Sequence, residues 1–295
     1  MSASAALARV LVAGGTHGNE WVGAWLARKW ERDPTSLQRQ SFEAVALLAN
    51  PRAVERGVRY LDQDLNRSFD DPRPTPSCAW EVSRARAILD AFGPEGKTPA
   101  DVVLDMHTTT ANMGLCLIVT NREPFNLQMA AWVRRREPRL RVYAWIDDTL
   151  PKSALTTIVP RGATLEVGPT ANNVVRGDLL LATERVVGLC LDFVDAFNRG
   201  DLVTRQPEAL DVFVHQRSFD YPRNAAGEVT GFIHPRLQDA DFELLNPGEP
   251  IFQLLNGETM VYEGESPVYP VFVNEAAYYE KSIAFSVALR ETVWV

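Results

Sequence analysis

Histidine and cysteine are scarce in this chain, and the scarcity narrows its chemistry. Among 295 residues there are four histidines and three cysteines, Cys78, Cys116 and Cys190. The cysteines are odd in number and widely spaced. Neither a disulfide framework nor a Cys-based zinc site is expected, and a reducing, cytoplasmic setting fits. Positive charge is not in excess either. The net charge of −8 disfavours nucleic acid as a partner. No uninterrupted apolar run is long enough to span a bilayer, so no membrane partner is expected. The opening MSASAALARVLVAGG carries no charged stretch ahead of an apolar one, and no signal peptide is expected.

What is present is enough for a substantial core. Hydrophobic residues make up 46% of the chain, and the length suits a large domain plus a smaller one. The run Arg9–Ala13 reads as a buried strand that stops at Gly14-Gly15. From Asn19 the pattern turns helical, with Trp21, Val22, Trp25, Leu26 and Trp30 as the apolar face. Further strands are expected at Glu43–Ala49, Val102–Asp105, Leu115–Thr120, Val142–Ile146 and Thr164–Val167. Helices are expected at about Ser77–Phe92 and Asp178–Asn198. Strands alternating with helices predict an α/β fold with a mostly parallel sheet covered on both faces. The Pro-rich stretch Pro72–Ser77 reads as a loop. After residue 203 turn signals crowd in, as at Asn246-Pro247-Gly248 and Asn256-Gly257. That texture predicts a catalytic domain over 1–203 and a smaller β-rich domain over 204–295.

Two histidines sit in suggestive places. His17 and Glu20 lie in THGNE, after the first strand and at the start of the first helix. His107 lies in LDMH, directly after the strand Val102–Asp105. Ligands of open parallel sheets bind at the carboxyl ends of strands. Two imidazoles and one carboxylate make a catalytic zinc set with a fourth position left open. Asp105 is placed to accept the second N–H of an imidazole. The bland alternatives are a hydrogen-bonded structural histidine and, for Glu20, a carboxylate favoured by the helix dipole. His215 and His234 lie in turn-rich surroundings and are not expected to ligate a metal. Arg59, Asn66 and Arg67 cluster in RYLDQDLNR, where an arginine fork suits a carboxylate or a developing oxyanion. The alternative is a solvated loop paired to Asp62 and Asp64. Glu166, in TLEVGP, interrupts a buried-looking strand; it is either a general base or a residue on a half-exposed edge.

Longer blocks carry a resemblance. THGNE, NPRAVERGVRYLDQDLNRSFDD, DMHTTTANMG, LEVGP, DYPRNAAGEVTGFIHPRLQDADF and YPVFVNEAAYYEK are similar to the aspartoacylase family, in order, over roughly residues 9 to 285. The resemblance implies a carboxypeptidase-like α/β domain with a smaller β-rich domain roofing the channel. It also implies one zinc per chain on His17, Glu20 and His107, with Glu166 as general base and Arg59 polarising the scissile carbonyl. Asn66 and Arg67 would hold an α-carboxylate, and Tyr278 would bind substrate. The implied activity is hydrolysis of a small N-acyl amino acid of the N-acetyl-aspartate kind. A zinc carboxypeptidase, a desuccinylase or a non-catalytic binding protein are the alternatives, and a homo-oligomer stays open. One departure stands out. The family's mammalian members carry, about ten residues before the base, an arginine that recognises a side-chain carboxylate; here Thr156 or Thr157 occupies that place, with Arg161 out of register.

Overall fold

The computed structural model describes residues 6–70, 79–146, 153–202 and 207–295. In chain order the elements are β1 (Arg9–Gly14), α1 (Trp21–Arg32), β2 (Glu43–Leu48), α2 (Pro51–Arg56), α3 (Trp80–Phe92), β3 (Val102–Thr108), β4 (Gly114–Val119), α4 (Pro124–Arg136), β5 (Leu140–Ala144), β6 (Arg161–Gly168) and α5 (Gly177–Arg199). There follow β7 (Ala209–Phe219), β8 (Gly231–Ile233), β9 (Pro250–Leu254), β10 (Thr259–Val261), β11 (Tyr269–Val271) and β12 (Phe285–Trp294). The Pro72–Ser77 loop, Cys78 and the expected boundary at residue 203 lie outside the described residues.

One nine-stranded sheet dominates, in the order β11-β12-β7-β5-β4-β6-β3-β1-β2. Its inner strands pair mostly in parallel, with β4 running antiparallel to β6. The α/β fold expected from the alternating pattern is therefore present. Strands β7, β11 and β12, all from the C-terminal third, extend the same sheet, whereas β10-β9-β8 form a separate three-stranded one.

Local sequence explains the elements that carry the site. All seven residues of β3 are buried, as expected of an interior parallel strand, so Asp105 and His107 enter the core as part of an otherwise apolar run. The strand is longer than Val102–Asp105, and His107 lies within it rather than after it. Helix α1 buries Val22, Leu26 and Trp30, a spacing of four that keeps one face inward. Trp25, expected on that face, is 53% exposed. Gly14 and Gly23 let α1 lie close on the sheet: a Cβ on Gly14 would sit 2.2 Å from Gly23 O, and one on Gly23 2.6 Å from Met106 O. That contact fixes the turn between β1 and α1, which carries His17 and Glu20.

Two helices differ from expectation. Asn50-Pro51 opens α2, where no helix was expected: the Asn50 side chain accepts from Ala53 N–H, and Pro51 takes the first helical position. Arg59 thus follows a short helix. Helix α4 is unexpected as well.

Candidate active site

Three donor atoms converge in the core. His17 and Glu20 flank the turn after β1, where Glu20 N–H donates to His17 O. They are therefore not a pair on one helix face. His17 Nδ1 lies 2.6 Å from Glu20 Oε1, and His107 Nδ1 lies 2.9 Å from Glu20 Oε2. The two Nδ1 atoms are 3.1 Å apart. All three residues are buried.

The outer nitrogens decide what this centre holds. His17 Nε2 lies 2.9 Å from Asp64 Oδ1, and His107 Nε2 lies 2.8 Å from Asp105 Oδ2. Asp105 is fully buried and also accepts from Thr16 Oγ1 at 2.8 Å. Carboxylates at both Nε2 atoms favour N–H there, which leaves both Nδ1 lone pairs facing Glu20. Two imidazole lone pairs and a carboxylate oxygen turned on one another repel unless a cation lies between them. Their ligand atoms all lie within 4.8 Å of one another, the span of a small metal ion. Protonation is the other relief. Burial opposes charge on His107, but Asp105 and Glu20 outweigh it and push its pKa well above the usual imidazole range. Burial likewise opposes charge on Glu20, yet the two imidazoles hold its carboxyl well below the usual value.

Glu166 stands beside this centre, because His107 pairs with Glu166 in the β3–β6 register. Burial pushes its carboxyl well above the usual range; nearby Glu20 and Glu275 add to this, while His107 and Arg59 oppose it. Arg59 reaches in from the stretch after α2 and donates to Glu20 Oε1 at 3.1 Å. Burial disfavours its charge, but Glu20 and Asp64 outweigh that and raise its pKa. Asn66 and Arg67 lie in a short 3-10 helix, Leu65–Arg67, whose start is capped by Asp64. Asn66 Oδ1 accepts from Leu155 N–H at 2.8 Å, which leaves the amide N–H as what Asn66 offers a ligand. Tyr278 comes from the 3-10 helix Ala276–Lys281 and packs on Phe272 at 5.3 Å between ring centroids. Burial raises its pKa, so its hydroxyl stays a donor.

A cavity of about 590 Å³ joins these groups: His17, Glu20, Arg59, Asn66, Arg67, His107, Glu166 and Tyr278 all line it. Every candidate residue from the sequence is thus brought to one place. Within the lining, Ile118, Thr120, Trp145 and Thr164 lie together on and just beyond β4, β5 and β6 as an uncharged stretch of wall; Thr156 and Thr157 also line the cavity, next to Leu155, which is bonded to Asn66. Arg161 does not line the cavity. That residue opens β6, 3.9 Å from Glu123, with its guanidinium 5.8 Å from the Phe125 ring centroid.

Some supporting residues carried no usable signal in the sequence. Glu81 of α3, fully buried, accepts from the backbone N–H groups of Leu61, Asp62 and Gln63 and so holds the approach to Asn66. Glu275 accepts from Thr110 N–H at 2.7 Å and from the Thr109 and Thr110 hydroxyls, gripping the loop after β3. Lys281 donates to Asp64 Oδ2 at 3.1 Å. A carboxylate with distant partners looks like any solvated one in a linear sequence; only Asp64, two residues before Asn66, had a local hint as a cap.

Known proteins resemble the chain over nearly its whole length. The succinylglutamate desuccinylase/aspartoacylase catalytic domain matches residues 6–194, and the AstE/AspA barrel-sandwich hybrid domain matches residues 208–290. An N-acyl-aromatic-L-amino acid amidohydrolase (carboxylate-forming) of Mus musculus is 46% identical, over 97% of this chain and 92% of its own. A probable aspartoacylase of Trichodesmium erythraeum is 42% identical, over 97% of this chain and 98% of its own. The crystal structure of murine aminoacylase 3 superposes with a TM-score of 0.94 at 43% identity, covering 99% of this chain and 98% of that one.

Proposed function

The chain belongs to the succinylglutamate desuccinylase/aspartoacylase family, and from that premise we propose that it hydrolyses N-acyl amino acids whose side chain is neutral, with aromatic and apolar side chains preferred. The observation that carries the preference is the uncharged stretch of wall that Ile118, Thr120, Trp145 and Thr164 give the cavity. Thr156 and Thr157, which also line it, take the place that the family resemblance gives to a carboxylate-binding arginine. A desolvated carboxylate there would lack a charged partner, at a cost of several kcal/mol. Murine and other relatives named for N-acyl-aromatic substrates fit the same reading.

We assign one zinc per chain to His17, Glu20 and His107, on the strength of the mutually facing lone pairs described above. When bound, the ion supplies Lewis acidity beside the reacting water and carbonyl. The chain's own groups do the rest. Glu166 accepts a proton from the attacking water as the water oxygen bonds to the acyl carbon. The Arg59 guanidinium donates toward the acyl oxygen as charge develops on it; one such donor is typically worth about 3–4 kcal/mol. The carbon–nitrogen bond then breaks and Glu166 returns the proton to the amine nitrogen, leaving a carboxylate and a free amino acid. Asn66 and Arg67 hold the α-carboxylate, and Tyr278 donates to the substrate, which together fix its orientation.

The segment from residue 204 serves, in this reading, as a β-rich domain that roofs the channel. Glu275, Tyr278 and Lys281 support it, since all three line the cavity. A roof favours small amides over peptide chains. A cytoplasmic setting agrees with Cys116 and Cys190 being free and buried, and among the described residues no helix is long and apolar enough to cross a membrane.

The test is a hydrolysis screen of N-acetyl-tyrosine, N-acetyl-phenylalanine, N-acetyl-aspartate and a dipeptide, with zinc and with a chelator. The expected result is chelator-sensitive release of the aromatic amino acids ahead of aspartate, with the dipeptide inert. Turnover that survives metal removal would overturn the zinc assignment, and a leading rate on aspartate would overturn the side-chain reading.

A further inference from the structure

His215 lines no part of the cavity, yet it lies against a residue that does. Trp145, one residue beyond β5, forms part of the uncharged stretch of wall with Ile118, Thr120 and Thr164. The parallel register of β5 and β7 pairs Ala144 with Val214, which brings Trp145 alongside His215. Their rings stack with centroids 4.7 Å apart and planes 18° from parallel. Across from β7, the β12 register shifts between Val287 and Ala288, which pair with Arg217 and His215. A bulge of this kind re-aims a side chain beside a site.

The imidazole is itself held. Tyr143 Oη lies 2.7 Å from His215 Nδ1. Tyr143 is fully buried, and burial pushes its pKa well above the usual phenol range. The phenol therefore keeps its proton, and the two rings are joined by a hydrogen bond. Tyr143 is fixed in turn against Phe272, at 6.2 Å between centroids, and Phe272 is another wall of the cavity. By contrast, Trp145 is only half-buried and follows the last residue of its strand. Its backbone N–H is anchored on Val119 O, but that bond does not set the angle of the indole. The indole meets Tyr143 edge-on at 6.2 Å between centroids, and its stacked face lies on His215.

We propose that His215 is a positioning residue for substrate selection: stacked on Trp145 and tied to Tyr143, it holds the indole as a preset wall for the substrate's side chain. The inference rests on the reading that this stretch of wall receives that side chain. Its physical content is preorganisation. A wall ordered before binding spares the complex the entropy of ordering it, which improves affinity without touching the bond-breaking groups. His215 contacts neither the metal-binding triad nor Glu166, so its effect belongs in KM for substrates that reach the wall and not in kcat.

The experiment compares N-acetyl-tyrosine, which reaches the wall, with N-acetyl-alanine, which does not. His215→Ala is expected to raise KM for N-acetyl-tyrosine about 3- to 10-fold with kcat unchanged, and to leave both constants for N-acetyl-alanine unmoved. His215→Phe, which keeps a ring against the indole, should restore most of the lost affinity and guards against a folding defect in the alanine variant. Equal changes for both substrates, or none for either, would overturn the proposal. A separate readout covers failure of the underlying reading. Trp145 emission is taken as the difference between each protein and its Trp145→Phe counterpart. If the wild type shows no preference for tyrosine over alanine, the side-chain reading falls, and the acrylamide quenching of that emission still decides the role of His215. Faster quenching in His215→Ala supports it and unchanged quenching overturns it.

Discussion

His107 and Glu166 stand opposite one another across β3 and β6, and their side chains share one face of the sheet. The relationship couples the proposed ligand and the proposed base through backbone hydrogen bonds, not through a flexible loop. A one-residue slip of either strand would turn its polar side chain to the opposite face, so the same register that builds the core also sets the chemistry.

Glu166→Gln tests the base. Glutamine keeps the shape and the burial but neither takes nor returns a proton. Turnover is expected to fall by at least about 100-fold, the lower end of what general acid–base catalysis contributes. Metal content measured by atomic absorption should be unchanged, since Glu166 is not among the converging donors. A variant that keeps a tenth of wild-type kcat would remove Glu166 from that role.

Asp105→Asn tests the orientation of His107. Both Asp105 oxygens accept, one from His107 Nε2 and one from Thr16 Oγ1. Asparagine can turn its amide N–H2 to Thr16 Oγ1, which then accepts, and its carbonyl to His107 Nε2, but without the negative charge it holds the N–H at Nε2 less strongly and makes His107 a weaker ligand. Zinc affinity is expected to drop about 10- to 100-fold, read by competition against a chromophoric chelator. Thr16→Val removes one hydroxyl donor to Asp105 and leaves the Asp105–His107 contact in place, so it should weaken zinc far less. Equal affinities for Asp105→Asn and wild type would show that the imidazole is oriented by packing alone.

How far all this was legible in the sequence follows from the range of the interactions. Strands β1, β3 and β6 are short apolar runs, and α5 has a long regular stripe closed by Gly200 in the left-handed conformation; all four are readable from local pattern. His17, His107 and Glu166 stood out because each is polar at or near the end of such a run. Helix α2 was hidden because its cap, Asn50-Pro51, has the same composition as a turn. Helix α4 was hidden because three arginines crowd its last turn and blur its apolar face. Glu81 and Glu275 were not readable at all. Their partners lie 18 to 20 and about 165 residues away in the chain, and no local pattern encodes such pairings.

Asp241 gives the fold a pH signature. Its carboxylate accepts from Val273 N–H at 3.0 Å and Asn112 N–H at 3.2 Å, tying the C-terminal region to the loop after β3. Burial pushes its pKa up to about 7, against the opposing pull of these N–H groups and that of Phe272. A raised native pKa means the folded state holds a proton that the unfolded chain, with an Asp pKa of about 3.9, has released. The stability this contributes is fully present below about pH 4 and is lost as pH rises through 7. Asp241→Asn does not titrate. From pH 5 to pH 8, wild-type unfolding free energy should therefore fall relative to the variant by about 1–3 kcal/mol, measured by urea denaturation. A difference that stays constant across that range would mean the carboxyl ionises at its ordinary pH.

Thr156 supplies the sharpest test of specificity. It lines the cavity and is 5% exposed. Arg161 stands beside Glu123 and Phe125 and does not line the cavity; of the cations that do, the proposed reading gives Arg59 the acyl oxygen and Arg67 the α-carboxylate, and Lys281 is paired with Asp64. N-acetyl-aspartate and N-acetyl-asparagine are nearly isosteric and differ by one charge, so their ratio of kcat/KM isolates any charged contact to the side chain. A charge-assisted hydrogen bond is worth about 1.5–3 kcal/mol, or roughly 10- to 150-fold. In the wild type the aspartate-to-asparagine ratio should lie below about tenfold, with N-acetyl-tyrosine preferred to both. Thr156→Arg places a guanidinium in a cavity of about 590 Å³, which has room for it. The aspartate-to-asparagine ratio should then rise by about 10- to 150-fold, while activity on N-acetyl-asparagine serves as the control for an intact fold. A wild-type ratio already above about 150 would show that a cation does reach the side-chain end, and the neutral reading of this cavity would have to be given up.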